Sequence, residues 1–575
     1  MRYTLFSIFV LAGLALTSCS GNEVDVDNLE AVGGKKYGGE FKFMSSEKVA
    51  SLLPTSSADQ YSSRIVGQLY EPLLRLDPQT MKVVPAVAES FTVSDDAKVY
   101  TFKIRKGIKF HEDDCLSDGH ELDAHDVKFS LDLACSGLDL NHIGYLLVNR
   151  IKGGTDFNKK SETSLPEKGV DGIKVVDDYT IKITLENSFS GFENLLTHQS
   201  LGIFPKEAWD KYGKDIDKHA VGTGPFALES MSDAKIVLKR NNDYWRKDEL
   251  GNQLPFLSKV IMTYTDDKRS ELLAFRKAEI DLVLEIPVEE IEHILGTLKE
   301  AQEGKNIKHK VESESSMSMT YIAMANESEE FKDIRVRKAF NIAIDRENII
   351  DTWLEGEGWA ATNGFVPAMK NYPTEEVKGH TFNPEEARAL MSEAGYPDGK
   401  NFPKLDFYVN AVEGSPVHKM CQAFVSQIKE NINVDLNIVL CSIDERQAAV
   451  NSGKAKIWRA GWIADYPDPE NFLAMFYGGN ITSQTSMMNR FKFQSDAYDA
   501  IYEKAILESD AEKRTELFVI CDQMIIDEAA IMPIMTDDHI VMINARIRDF
   551  KANSMESLNL TEVFIKEPKK SPEAE

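Results

Sequence analysis

Positive charge is what this chain has least of for its size. Its 66 lysines and arginines face 93 aspartates and glutamates, a net charge of −27 over 575 residues. A nucleic-acid-binding surface needs a basic face, so the balance argues against that class, and the acidity is read as solubility. Long apolar runs are also missing. The run at residues 5–16 is too short to cross a bilayer as a mature helix. With six cysteines the chain is no disulfide-stapled scaffold. Catalytic signatures are absent too: no GxSxG elbow, no HExxH, and no GK[ST] after the glycine-rich loop at 222–224. His198-Gln199-Ser200-Leu201-Gly202 lacks the first glycine of an elbow. His120-Glu121 with His125 puts the second histidine one residue late, so the pair does not share a helix face. A secreted hydrolase, the competing class, therefore has nothing to rest on. No catalytic residue, metal site or cofactor is expected, and residues 111–125 read as a solvated loop.

The N-terminus is an address. Arg2, the apolar run and Leu16-Thr17-Ser18-Cys19 resemble a bacterial lipobox, with residues 1–18 the signal and Cys19 the lipidated first residue. Residues 19–36 read as a flexible tether, polar and acidic with Gly33-Gly34. At 575 residues the body is too long for one core, and two or three domains are expected. Cys115, Cys135, Cys421, Cys441 and Cys521 remain; Cys115–Cys135 and Cys421–Cys441 could pair, or the thiols could be free and buried.

One stretch organises the rest: AKIWRAGWIADYPDPENFLAMFY, residues 455–477. Residues 455–463 predict a buried strand carrying Lys456 and Arg459. A loop holding Asp465 follows. Asp468 suits an N-cap, Pro469 the first helical position, and Phe472, Met475 and Phe476 recur at helical spacing. Trp462 and Asp465 thus stand where a strand gives way to a helix, the edge at which α/β sheets bind ligands. A cation in the strand and an anion just past it suit a zwitterion.

These residues resemble the family 5 extracellular solute-binding proteins of ABC importers, through Arg459-Ala460-Gly461-Trp462 and Ala464-Asp465-Tyr466. Further motifs follow in family order. They are Tyr70-Glu71-Pro72-Leu73-Leu74, residues 99–110, residues 124–130, Val221-Gly222-Thr223-Gly224-Pro225-Phe226, Asn241-Asn242-Asp243-Tyr244-Trp245, residues 331–350 and residues 383–399. The resemblance implies that Asp465 receives a peptide α-amino group, that Arg459 receives a carboxylate, and that Trp462 belongs to the same site. It implies a further acidic ligand group on the 51–61 loop, whose only acid is Asp59. Arg335 and Arg337 are expected as structural ion-pair partners.

The fold implied is α/β, of periplasmic-binding-protein type II: two lobes with a hinge plus an extra inserted domain. The first lobe takes 37–76, 206–310 and 533–566, the extra domain 77–205, the second lobe 311–532, and 567–575 is a frayed tail. The function implied is capture of oligopeptides between lobes for uptake. The partners implied are short peptides, ABC-transporter permease subunits and, through the lipid, the membrane. The protein is expected as a monomeric cell-envelope lipoprotein on the periplasmic side. Within the family, a nickel chelate, heme or a sugar is the alternative ligand.

Overall fold

A computed structural model describes residues 29–566, apart from 58, 79, 118–119, 190, 266, 285–308, 355–357, 370–371 and 482–487. Cys19, the signal, most of the tether and the tail lie outside the described residues.

Three sheets carry the architecture. The first has seven strands, in the order His309–Ser315, Asp538–Asn544, Leu282–Val283, Glu40–Ser45, Lys259–Tyr264, Lys235–Arg240 and Phe226–Met231. Glu40–Ser45 runs parallel to both its neighbours and the other pairs are antiparallel. The second has six strands, in the order Trp359–Ala360, Met532–Thr536, Ser318–Met324, Ile457–Ile463, Leu405–Val409 and Leu436–Leu440. The third is a four-stranded antiparallel sheet of Ala88–Val93, Val99–Ile104, Thr180–Thr184 and Ile173–Asp177.

Burial explains how these sheets group. In Val99–Ile104, Tyr100, Phe102 and Ile104 are buried while the residues between them are not, the expected period of a strand with one covered face. Those side chains share one apolar core with Phe41, Val260 and Ile543 of the seven-stranded sheet, so the inserted domain and the first lobe are packed together. Strand Ser318–Met324 is instead buried along its whole length. Met319, Tyr321 and Ala323 enter one core, Ile322 and Met324 another, because helices cover both faces of the second sheet. Helix Pro416–Ile432, capped by Ser415 and started by proline, and helix Pro384–Glu393, capped by Asn383, are among those covers.

The chain passes from the first sheet to the second between Ser315 and Ser318, and back between Thr536 and Asp538. Residues 311–315, expected in the second lobe, pair with Asp538–Asn544 in the first sheet. Residues 533–536, expected in the first lobe, lie in the second. Composition carries no mark at either point, because the strands on both sides of each crossing belong to sheets.

Three other expectations change. Residues 29–36 are docked rather than free: Glu30 bridges Lys36, Val32 N–H donates to Asn252, and Lys35 pairs with Asp248 and Asp549. The 111–125 segment is not simply solvated. His111 is buried against the Gly224 carbonyl at 3.0 Å, and desolvation lowers it to about 4; Asp113 accepts from the Tyr212 hydroxyl. Arg337 is buried but pairs with no carboxylate among the described residues. It donates to the carbonyls of Phe331, Lys332, Glu528 and Ala529, the last two at the end of helix Ala511–Asp527, where a cation is favoured. Arg335 does pair, with Asp333. All five described cysteines are free thiols, with Cys135, Cys421 and Cys521 buried.

Candidate functional site

A cleft of about 3050 Å³ lies between the first lobe with its inserted domain and the second lobe. Sites for drug-sized ligands occupy roughly 300–1,000 Å³, so this one holds something larger. Asp465, Arg459, Trp462 and Asp59 all line it.

The strand expected at 455–463 runs Ile457–Ile463, pairing antiparallel with Ser318–Met324 and parallel with Leu405–Val409. Its first residues are buried and its last open toward the cleft. The helix after the loop is Glu470–Leu473, continued by a tighter turn to Phe476. The cap is shared: Pro469 holds the cap position, while Asp468 Oδ1 accepts from Glu470 N–H at 2.9 Å. Asp468 also takes both terminal nitrogens of Arg514, at 2.9 and 3.0 Å. Glu470 is wholly buried and meets Arg150 of the inserted domain at 2.7 Å.

Asp465 is held by a constellation that its own segment does not announce. Its Oδ2 accepts from Tyr145 Oη at 3.0 Å and from Asn471 Nδ2 at 3.1 Å. Its Oδ1 lies 3.7 Å from His198 Nε2. Its N–H donates to Asn471 Oδ1 at 2.9 Å, and Trp462 Nε1 donates to the same oxygen at 2.8 Å. Buried Asn471 therefore ties Trp462 to Asp465. Tyr145 and His198 arrive from the inserted domain, far away in sequence. No pattern in 455–477 could have named them.

Arg459 faces a different wall. Its Nη2 donates to Thr320 Oγ1 at 3.2 Å, and its buried Nε has no hydrogen-bond partner among the described residues. Asp59 has a structural task as well as a place on the cleft wall. It caps helix Gln60–Leu69, accepting from Ser62 N–H at 2.8 Å, so its carboxylate at the cleft wall already has a structural partner.

Three of the remaining motifs prove structural. Glu71 is buried and accepts from Tyr244 Oη at 2.8 Å, Trp245 Nε1 at 2.8 Å and Thr223 Oγ1 at 3.3 Å. Three separated motifs thus meet on one carboxylate, which burial pushes above its ordinary value. The glycines beside Thr223 are dictated by closeness: a Cβ on Gly222 would stand 2.1 Å from the Leu69 carbonyl oxygen, and one on Gly224 2.5 Å from that of Gln68. Likewise Asp281 is fully buried, clasped by Arg546 at 2.7 and 2.9 Å. Among the described residues, one trio has metal-ligand spacing, His120, Asp126 and Glu207. It does not line the cleft, and Asp126 is already engaged in the capping box of helix Ala124–Ala134.

Known proteins bear on this arrangement. The family described as bacterial extracellular solute-binding proteins, family 5 middle region, matches residues 82–484. A di/tripeptide-binding protein 3 of Pseudomonas aeruginosa is 28% identical over 491 residues, covering 84% of this chain and 86% of that one. Heme-binding protein A of Haemophilus influenzae is 27% identical over 491 residues, covering 84% of each. Among solved structures, the ABC transporter-associated periplasmic binding protein DppA of Helicobacter pylori, in complex with the peptide STSA, superposes with a TM-score of 0.78. It shares 24% identity, and the match covers 92% of this chain and 99% of that one. The fold is the type II periplasmic-binding-protein fold expected from the motifs. With its matched region spanning most of the body and its lobes enclosing one large cleft, the chain belongs to the bacterial extracellular solute-binding proteins of family 5.

Proposed function

We propose that this protein captures a short peptide between its lobes and presents it to the permease of an ABC importer. The ligand's α-ammonium sits on Asp465 and its carboxylate on Arg459. The observation that carries this reading is that the two half-buried side chains line one cleft and neither is paired with the other. Asp465 stands six positions after Arg459, so their Cα atoms are at most about 20 Å apart, a span that an extended peptide of up to about six residues can bridge. A zwitterion uses both charges; heme, a nickel chelate or a sugar does not. The names of relatives such as the di/tripeptide-binding protein support the same class. Main-chain hydrogen bonds and water-filled side-chain pockets would give affinity across many sequences. Cys19 anchors the chain by lipid to the cell envelope on the periplasmic side, and residues 29–36 hold the body near that anchor.

The test is a four-way cycle by calorimetry. Stranding one member of a buried charge pair costs roughly 3–5 kcal/mol, so Asp465→Ala weakens a free peptide by about two to three and a half orders of magnitude. Acetylating the peptide's amine costs a similar amount on the unmutated protein, and the mutant no longer distinguishes the two peptides. If Asp465→Ala still prefers the free amine by the full margin, the assignment fails.

A further inference from the structure

Away from the cleft, His120, Asp126 and Glu207 each turn a ligand atom toward the other two. One imidazole nitrogen and two carboxylate oxygens all lie within 4.8 Å of one another. The framework that gathers them is well packed. The stretches 108–110 and 120–122 run side by side: Phe110 N–H donates to the His120 carbonyl at 3.3 Å and Leu122 N–H to that of Ile108 at 2.8 Å. The His120 ring rests against Phe110. Asp126 stands in the first turn of helix Ala124–Ala134. That helix meets helix Lys206–Tyr212 through Phe129 and Trp209, and Ser130 Oγ donates to the Phe204 carbonyl at 3.1 Å, which brings Glu207 beside Asp126.

These polar atoms are gathered but not joined. Among the described residues, no hydrogen bond or ion pair links any two of the three side chains. The one bond to their ligand atoms is that of Asp123 N–H to Asp126 Oδ2, at 3.0 Å. Asp126 is only 6% exposed, and its Oδ1 has no hydrogen-bond partner among the described residues. The cations on the same two helices are engaged elsewhere: Lys128 with Asp132, Lys206 with Asp210 and Lys211 with Asp113. A buried carboxylate beside a second one, with no cation between them, is costly. The capping box uses one oxygen of Asp126 and gives no reason for the approach of Glu207 or His120. A cation held among all three does.

We propose that His120, Asp126 and Glu207 bind a divalent first-row transition-metal ion of the Zn2+ type, which ties the paired stretches 108–110 and 120–122 to both helices. An imidazole among the donors favours such an ion over Ca2+ or Mg2+, which take oxygen ligands. Three protein ligands leave a fourth position for water. Asp126 is fixed by its helix, whereas exposed Glu207 and half-buried His120 can close on the ion by side-chain rotation. The site lies outside the cleft and stands independently of the peptide reading.

The experiment strips the full chain with EDTA, removes the chelator, and titrates ZnCl2 calorimetrically, with CaCl2 as the comparison. Zn2+ binds at a single site and raises the unfolding temperature, as any ligand of the folded state does. Glu207→Gln and His120→Ala each weaken Zn2+ by about a hundredfold, the order of one ligand's share of a structural zinc site, and abolish the rise in unfolding temperature. Their unfolding temperatures without metal, close to that of the parent, show that the variants are folded. His125→Ala, a neighbouring exposed histidine outside the trio, binds Zn2+ as the parent does. No Zn2+ binding by the unmutated protein overturns the inference. Zn2+ affinity untouched in both Glu207→Gln and His120→Ala overturns it as well, and so does Ca2+ bound as tightly as Zn2+.

Discussion

Arg150 Nη2 stands 2.7 Å from Glu470 Oε1, joining the inserted domain to the second lobe through a carboxylate that is entirely buried. The hydroxyls of Tyr466 and Tyr502 also donate to Glu470. Burial opposes this charge, but Arg150 and the two phenols more than offset it, so the carboxyl lies below its ordinary range. Its contribution is therefore present above the unfolded carboxyl value and lost as pH falls through the lower folded one. Removing Arg150 strands the carboxylate at a cost of roughly 3–5 kcal/mol. Opening the cleft rehydrates it, so the penalty falls on closure rather than on folding. Arg150→Met is expected to enlarge the radius of gyration in solution scattering with little change in unfolding temperature. Arg150→Met combined with Glu470→Leu restores the smaller radius. An unchanged radius with a lowered unfolding temperature would instead assign the pair to folding alone.

Asn471 is the keystone of the Asp465 constellation because three groups depend on it: Asp465 N–H, Asp465 Oδ2 and Trp462 Nε1. Asn471→Ala leaves two donors without their acceptor, each costing about 1–3 kcal/mol if it stays buried. Chemical denaturation should show a stability loss of that order. Peptide affinity should fall with it, because Asp465 is no longer aimed. Unchanged stability would mean that water replaces the amide.

The Glu71 carboxylate separates shape from charge. Glu71→Ala abandons Tyr244, Trp245 and Thr223 together and is expected to cost several times about 1 kcal/mol. Glu71→Gln keeps one acceptor oxygen and removes a charge that burial disfavours, so its loss is smaller. The raised folded value of Glu71 means that its stabilising share is fully present below the unfolded value and lost as pH rises through the folded one. Denaturation midpoints of parent and Glu71→Gln should therefore converge as pH increases. Equal losses for the Ala and Gln variants would contradict the hydrogen-bond account.

Asp537 predicts how affinity responds to pH. Burial pushes its carboxyl up to about 6; Arg459 pulls it down, Glu556 and Asp538 push it up, and the Ser318 hydroxyl favours its charge. A ligand carboxylate arriving at Arg459 raises it further, so binding takes up a proton. Affinity for peptides is expected to fall as pH rises through about 6, by up to about tenfold per pH unit. Calorimetry in buffers of different ionisation enthalpy measures the proton directly. Asp537→Asn should flatten the profile between about pH 5 and 7, and a slope that survives would place the titrating group elsewhere.

Much of this architecture can be read along the chain where local rules act. The alternation of Tyr100, Phe102 and Ile104, the Asp123 and Asn383 caps, and the strand–loop–helix around Asp465 all follow from residues within a few positions of each other. What escapes is whatever depends on distant partners. Asp59 reads as a ligand group in the sequence, and its second task, capping helix Gln60–Leu69, shows only in the structure. Arg337 reads as half of an ion pair until the end of a helix almost two hundred residues later supplies carbonyls instead. Tyr145 and His198 carry no local signature, because they meet Asp465 only when separate segments form one wall. Thr223, Tyr244 and Trp245 look like three marks of kinship, yet physically they are one requirement, the satisfaction of Glu71.

Between the first and second sheets the backbone crosses twice, at 316–317 and at 537, and Ser316 N–H donates to the Asp537 carbonyl at 3.0 Å. Two links held side by side define a line. Rotation about that line is cheap, while sliding or twisting strains both links at once. Ala464 N–H donates to the Met317 carbonyl at 2.9 Å, at the first crossing, so the Asp465 loop lies beside this line, whereas Arg459, paired with Ile322, lies further along the strand. Closure therefore carries the groups that Asp465 meets from the opposite body, Tyr145 and His198, through a short arc.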